Sequence, residues 1–372
     1  MRIALLGTRG IPARYGGFET FAEELSTRLV TRGHRVTVYC RERDASACYQ
    51  GRWANYRGVD LVCLPTIRHK YFDTLAHSLV STLYLVLRRG PYRVDAAFYC
   101  NGANAVFTIL PRVTGIPTAL NVDGLERKRK KWNRYASAWY RVSEYLSTFF
   151  PTCFVTDARS IQNYYRETWH ADSRFIPYGA DPALAVTHDV LNQLGLRTGQ
   201  YFLYVSRLEP ENHALEVRQA FEDVPAPDMQ LALIGDAPYA GEYIRQVRDT
   251  KDPRIVMPGA IYGAGYLELG TWCFAYIHAT EVGGTHPALI EAMARGALVI
   301  YRDNDENREV CGDAGLPYNS QTELTARMIA VLQMSEAERA ALRTSALQRV
   351  RERYNWDAVT SQYESLFAAL CK

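Results

Sequence analysis

Short apolar runs alternate with helix-period segments along both halves of this chain, and that alternation limits the folds open to it. Arg2 to Leu6 is a near-continuous apolar run, the pattern of a strand buried on both faces of a parallel sheet. A glycine-containing loop follows, then a helix with Phe18, Phe21, Ala22, Leu25 and Leu29 on one face, stopped at Gly33. Arg35 to Cys40 is the next strand, which completes one βαβ unit. Further strands are expected at Val59–Leu64, Ala96–Tyr99, Thr118–Val122, Phe154–Thr156 and Arg174–Ile176, with helices at Thr74–Leu87 and Trp132–Thr148. The segment PYGADP (177–182) turns to residues that break regular structure and marks a linker running to about Thr198. The pattern then restarts. Strands are expected at Tyr201–Ser206, Gln230–Ile234, Arg254–Met257, Trp272–His278 and Ala297–Tyr301, and helices at Asn212–Phe221 and Pro287–Arg295.

Strands alternating with helices imply an α/β fold of parallel sheets, and 372 residues suit two Rossmann-like domains better than one. The divisions read from the sequence are 1–180 and 181–355, plus a last helix over 356–372. That helix carries Val359, Tyr363, Leu366 and Phe367 at helical spacing and is a candidate to pack back on the first domain. The net charge of +3 gives no general call for nucleic acid. The longest apolar stretch, Leu79 to Leu87, is too short to span a membrane, and the opening MRIALLG is too soon broken for a signal peptide. None of the eight cysteines forms a CxxC pair or a zinc-spaced cluster, so they are expected reduced and mostly buried, as in a cytosol.

Ligands in open parallel sheets bind beyond the carboxyl ends of the strands. Three segments lie there. Gly16 and Gly17 open a helix, where backbone N–H groups and the helix dipole favour an anion, although a tight turn needs the same residues. A dinucleotide-binding dehydrogenase would need GxGxxG and an acid after the second strand; the glycine spacing is wrong and the strand ends in Tyr39-Cys40-Arg41. In EVGGTHPALIEAMARG (281–296), Gly283 and Gly284 free the backbone and Pro287 suits the first helical position. N–H groups at Gly284, Thr285 and His286 then point at an anion. Glu291 follows on the same helical face, in reach of a ribose diol. In VSRLEPEN (205–212), Arg207 can grip a diphosphate bidentately, or pair with Glu209 or Glu211.

Together, GTRGIPARYGGFE, IPYGAD, SRLEPEN and EVGGTHPALIEAMARG resemble the retaining family-4 glycosyltransferases of the GT-B fold. With NVDGLERKRKKW (121–132) they are similar to a bacterial subgroup that includes rhamnosyltransferases of capsule and O-antigen assembly. The family motif has two glutamates eight apart. Counting back from Glu291 lands on Gly283, with Glu281 two residues out of register. The lysine the family carries five residues after its donor-loop arginine is Asn212 here.

The resemblance implies transfer with retention from a nucleotide-sugar such as dTDP-rhamnose, without metal or cofactor. No carboxylate stands out as a nucleophile, so a same-face displacement through an oxocarbenium-like state is expected. Arg207, the Gly16-Gly17 backbone and the helix start at 284–286 would stabilise a diphosphate in the cleft between the two halves. Asp123, after a strand of the first domain, is assigned to the acceptor side, though it could instead cap the following turn. The stretch 126–141 holds seven Lys or Arg among aromatics. Lys128, Arg129, Lys131, Trp132 and Trp139 are the candidates to meet an anionic leaflet or a sugar on polyprenyl diphosphate, on the inner face of the plasma membrane. Rival readings are a nucleotide-sugar epimerase or phosphorylase on the same fold, or an inactive sugar-nucleotide sensor.

Overall fold

The structure is a computed structural model. It describes residues 1–13, 16–42, 44, 53–67, 69, 72–88, 90, 93–129, 132–237 and 239–372. The chain forms two compact units. The first takes in 1–128, 132–178 and 356–372, and the second 129–131 and 179–355.

In the first unit, β1 (Arg2–Leu6), α1 (Gly17–Thr31) and β2 (Arg35–Arg41) form the expected βαβ unit. Then come β3 (Trp53–Tyr56), β4 (Val59–Leu64), α2 (Asp73–Leu87), β5 (Ala96–Cys100), α3 (Ile109–Val113) and β6 (Thr118–Asn121). The unit's chain continues through α4 (Arg134–Leu146), β7 (Cys153–Thr156), α5 (Arg159–Trp169) and β8 (Arg174–Phe175). The sheet order is β3-β4-β2-β1-β5-β6-β7-β8, so β1 is the point where successive connections leave in opposite directions. All pairings are parallel except β3 with β4, a two-residue hairpin turned by Arg57 and Gly58, both at positive φ. The central strands β1, β5 and β6 are buried on both faces, which is why β1 reads as an unbroken apolar run.

The second unit contains α6 (Asp189–Leu194), β9 (Tyr201–Val205), α7 (Ala214–Glu222), β10 (Gln230–Ile234), α8 (Gly241–Arg248), β11 (Ile255–Gly259), α9 (Ala264–Trp272) and β12 (Ala275–His278). After these come α10 (Pro287–Ala294), β13 (Leu298–Arg302), α11 (Asp305–Cys311), β14 (Gly315–Tyr318), α12 (Gln321–Gln333) and α13 (Glu336–Arg353). Its parallel sheet runs β11-β10-β9-β12-β13-β14. Trp272, expected to begin a strand, instead closes α9.

The last helix, α14 (Trp356–Leu370), belongs to the first unit and packs on α1. Tyr363 meets Phe21 with ring centroids 5.2 Å apart, and Glu364 accepts from Arg32 at 3.0 Å. Cys63 is disulfide-bonded, which corrects the expectation that every thiol is free.

Candidate active site

In the second unit β9 and β12 are hydrogen-bonded neighbours, and β10 leaves β9 on the other side. The loops after β9 and β12 therefore start side by side at the switch point of the sheet. Gly235, at the end of β10, makes room for the first of them: a Cβ there would sit 1.9 Å from the Ser206 carbonyl oxygen.

The β9 loop is tied to itself. Asn212 Nδ2 donates to the Arg207 carbonyl at 2.7 Å, and the Tyr204 hydroxyl donates to the Asn212 carbonyl at 2.6 Å. Asn212 is buried. Its amide nitrogen holds the loop that presents Arg207, while its Oδ1 is buried without a hydrogen-bond partner. Arg207 itself lies 3.7 Å from the Glu209 carboxylate and keeps 38% of its side chain exposed. The local pairing weighed as its alternative role is thus present. Glu209 is buried, accepts from the Tyr239 hydroxyl, and also lies 3.5 Å from Arg129 Nη1. Glu211 is 3.9 Å from the same guanidinium. Arg129, read from sequence as a membrane or acceptor residue, is instead buried in the second unit between two buried carboxylates. A basic run says that its members are solvated; it does not say which one is drawn inward by buried acids.

The β12 loop leads into α10. Pro287 is its first residue, His286 its N-cap, and no acid stands in its first turn. Gly284 and Thr285 are buried. At Gly283, where the resembling family has its first glutamate, a Cβ would lie 2.3 Å from His286 Nε2. The place is filled by an imidazole. Asn307 fixes that ring: its amide nitrogen donates to the Thr280 and Arg302 carbonyls at 3.0 and 2.9 Å, which leaves Oδ1 to accept from His286 Nδ1 at 2.9 Å. Nε2 is therefore the acceptor nitrogen, and it is buried close to the Val282 and Gly283 backbone. Burial pulls the His286 pKa down to about 4, with the Asn307 bond opposing and Arg129 and Arg207 adding to the depression. The ring is neutral at physiological pH.

Glu291 lies one turn along α10, one-fifth exposed, with Arg295 Nη2 donating to it at 3.4 Å. Glu281, two residues out of register with the missing glutamate, turns to His213. Its carboxylate is 2.8 Å from His213 Nε2 and half exposed. Neither Asn307 nor His278, whose ring centroid is 4.9 Å from that of His286, carried a signal in the sequence. The chain's one Asp-x-Asp spacing, Asp303 and Asp305, turns both carboxylates to Arg308. Among the described residues no group of three or more His, Cys, Asp or Glu could hold a metal ion.

The first unit carries the remaining candidates. Gly16 is the N-cap of α1 and Gly17 its first residue. The helix turns its own acids to the preceding loop: Glu19 accepts from the Arg9 N–H at 2.9 Å and Glu23 from the Ala13 N–H at 2.6 Å. Burial pushes the Glu19 carboxyl above its usual range, against the lowering pull of the Arg9 N–H. Asp123 follows β6 at positive φ (44°), and its N–H donates to Asn121 Oδ1 at 2.8 Å. Trp132 is half-buried, donates to Glu126 and leans on Tyr140; Trp139 is half-buried on α4. Lys131 and the Lys128 side chain lie outside the described residues.

Solved structures align with this chain over nearly its whole length. Sucrose-phosphate synthase from Thermosynechococcus elongatus is 20% identical with a TM-score of 0.80, covering 99% of each chain. HepE of Anabaena in complex with UDP-glucose is 16% identical with a TM-score of 0.77, covering 99% of this chain and 100% of that one. A trehalose-phosphate synthase (UDP-forming) from Burkholderia xenovorans is 12% identical, with a TM-score of 0.76 and the same coverage. The fold is GT-B.

Within this GT-B chain, residues 1–181 match a domain of unknown function (DUF1972) and residues 199–334 match the model described as glycosyl transferases group 1. No curated protein matches. The second match contains Arg207, the 283–286 turn and Glu291; the first contains Gly16, Gly17 and Asp123. Chemically, the second unit of the GT-B fold offers a helix start without an acid of its own, a guanidinium, a carboxylate one turn along and a neutral imidazole acceptor. That set suits an anion joined to a polyol.

Proposed function

We infer that the protein is a glycosyltransferase that takes a sugar from a nucleotide-sugar. The observation that carries this reading is the pairing, at the carboxyl ends of β9 and β12, of Arg207 with an acid-free helix start at Gly284–Pro287, inside the segment similar to glycosyl transferases group 1. Arg207 and the N–H groups of 284–286 take up the charge that develops on the departing diphosphate. Glu291, aligned by Arg295, accepts the ribose hydroxyls. His286 Nε2 accepts a hydroxyl of the donor sugar where the resembling family uses a carboxylate. HepE is described with UDP-glucose, which supports a donor of that class.

The finer reading follows the sequence resemblance. The donor is dTDP-rhamnose, the sugar keeps its anomeric configuration, and neither metal nor cofactor takes part. The acceptor is a sugar on polyprenyl diphosphate, met at the inner membrane surface by the first unit, with Asp123 near the acceptor hydroxyl. The product is a bacterial surface polysaccharide. An inactive sensor is the second reading, favoured by the Arg207–Glu209 contact and by the glycine in place of the first glutamate.

Incubation with dTDP-, UDP- and GDP-sugars, with and without membrane lipid extract, separates them through release of nucleoside diphosphate. The transferase releases it from one donor and faster with lipid. Binding without release from any donor identifies the sensor.

A further inference from the structure

Helix α2 is built inside out. Its buried face is polar apart from Leu85. Asp73 accepts from Arg41 Nη1 and Thr66 Oγ1, each at 2.8 Å; His77 Nε2 lies 3.1 Å from the Cys40 carbonyl; Thr82 Oγ1 lies 2.9 Å from the Tyr99 hydroxyl. Its outer face is leucine. Leu79, Leu83 and Leu87 recur every fourth residue and are exposed, Leu87 by 74%. Helix α4 repeats the inversion. Ser143 and Glu144 are buried, Glu144 accepting from the Tyr164 hydroxyl at 2.8 Å and pairing with Arg127 at 3.0 Å. Tyr135, Val142 and Tyr145 stand exposed on the opposite side. Tyr145 leans on Phe149 and Trp169, with ring centroids 5.1 and 5.3 Å away, but core packing explains neither stripe as a whole, and in water both are unfavourable.

The two stripes share a surface. The connections β4 to β5, β5 to β6 and β6 to β7 all step across the sheet in one direction, while β1 to β2 steps the other way. Right-handed crossovers therefore place α2, α3 and α4 in one layer, with α1 on the opposite side of the sheet. α2 packs on α3, whose Val113 is 70% exposed. The charge is mostly basic. Arg93, Arg112, Arg134 and Arg141 are exposed around the stripes, and among the described residues α2, α3 and α4 show no exposed Asp or Glu; α5, whose crossover steps the same way, exposes Arg166 and Glu167.

We propose that this layer lies flat on an anionic lipid bilayer, its leucine and tyrosine stripes entering the headgroup region and its arginines meeting phosphate. A second copy of the chain in a two-fold contact would set arginines against arginines, whereas anionic lipid complements both the apolar stripes and the charge. Amphipathic helices bind such interfaces by apolar burial assisted by basic residues. The proposal draws on the membrane part of the proposed function and is independent of the transfer chemistry. It moves the docking residues away from Arg129, Trp132 and Trp139, which are buried or half-buried.

Flotation of the full chain with vesicles tests it, using phosphatidylcholine alone and phosphatidylcholine with one part in three, roughly, of phosphatidylglycerol. The expected result is flotation with the anionic vesicles and at least a tenfold weaker partition onto the neutral ones. Leu83→Gln with Val142→Gln lowers the anionic partition at least tenfold, and Leu87→Gln, at the most exposed leucine, lowers it alone with an unchanged melting temperature. No flotation of the wild type overturns the proposal, as does flotation of the variants equal to it. So does self-association of the wild type that these substitutions abolish, since a second copy then covers the face. UDP binding to the same variants is expected unchanged; failure of the wild type to bind any nucleoside diphosphate strikes the transferase reading and leaves this one standing.

Discussion

Two glycine pairs open helices after strand ends in this chain, and they read almost alike in sequence: Gly16-Gly17 before α1 and Gly283-Gly284 before α10. The structure gives them different fates. At α1 the glutamates of the helix fold back onto the preceding loop, Glu19 to the Arg9 N–H and Glu23 to the Ala13 N–H, which places the protein's own carboxylates beside the helix start. At α10 the first turn holds no acid, the N1 residue is proline, and the nearby cations Arg129 and Arg207 are strong enough to help depress the His286 pKa. A glycine pair supplies only backbone freedom. Whether it becomes an anion site depends on whether the helix brings its own acid.

The largest effect is expected at Arg207, beside α10. Replacing it with alanine is expected to lower kcat by about 10²–10³-fold, the usual loss when one donor to developing charge is removed, without loss of fold. Steady-state nucleoside diphosphate release reads it, and near-wild-type activity would show that the Glu209 pairing is its whole role. His286→Phe keeps a ring beside Gly283 but removes the Nε2 acceptor. It is expected to lower kcat/KM by about 10- to 100-fold, the range for one lost buried hydrogen bond, while UDP, which lacks the sugar, binds as before. A matching loss of UDP affinity would assign the ring to the diphosphate.

Glu291→Gln removes the charge that a ribose diol would meet and is expected to raise the donor KM about tenfold, as for one charge-assisted hydrogen bond. The smallest functional effect is expected at the first glycine pair. Glu19→Gln keeps an oxygen for the Arg9 N–H and should leave donor affinity within about twofold, well under the effect of a lost hydrogen bond. Its signature is in stability. The Glu19 pKa is raised in the folded protein, so the folded state holds the proton more tightly than the unfolded one. The stabilising contribution is complete below the unfolded value near 4.5 and is lost as pH rises through the folded pKa. The glutamine variant should therefore be more stable than wild type above that pKa. Denaturant melts across the pH range check the sign; equal curves would show that the carboxyl is not desolvated.

The fold was legible wherever a strand is buried on both faces. β1, β9, β10 and β12 advertise themselves by apolar runs, and β14 hides at an edge, where its GLPY sequence carries both Gly315 and Pro317 and reads as a turn. β3, the antiparallel edge strand, is short and mixed in polarity for the same reason. Helix α13 was obscure because its surface is mostly charged and only Ala346 and Val350 are buried. At the site, Arg207, the 283–286 turn and Glu291 lie next to strand ends and could be found by position. Asn307 and Arg129 reach theirs through contacts distant in sequence, and nothing in their neighbours distinguishes them. The inverted polarity of α2 was invisible because its serines and threonines are unremarkable until the sheet shows which face is buried.

Calorimetric titration of UDP, dTDP and GDP against wild type, Arg207→Ala and Glu19→Gln locates the anion. At least one nucleoside diphosphate is expected to bind the wild type, tenfold or more weakly in Arg207→Ala, and within about twofold of wild type in Glu19→Gln. Binding that survives in Arg207→Ala but changes in Glu19→Gln would place the anion at α1 and rule out the site at β9 and α10.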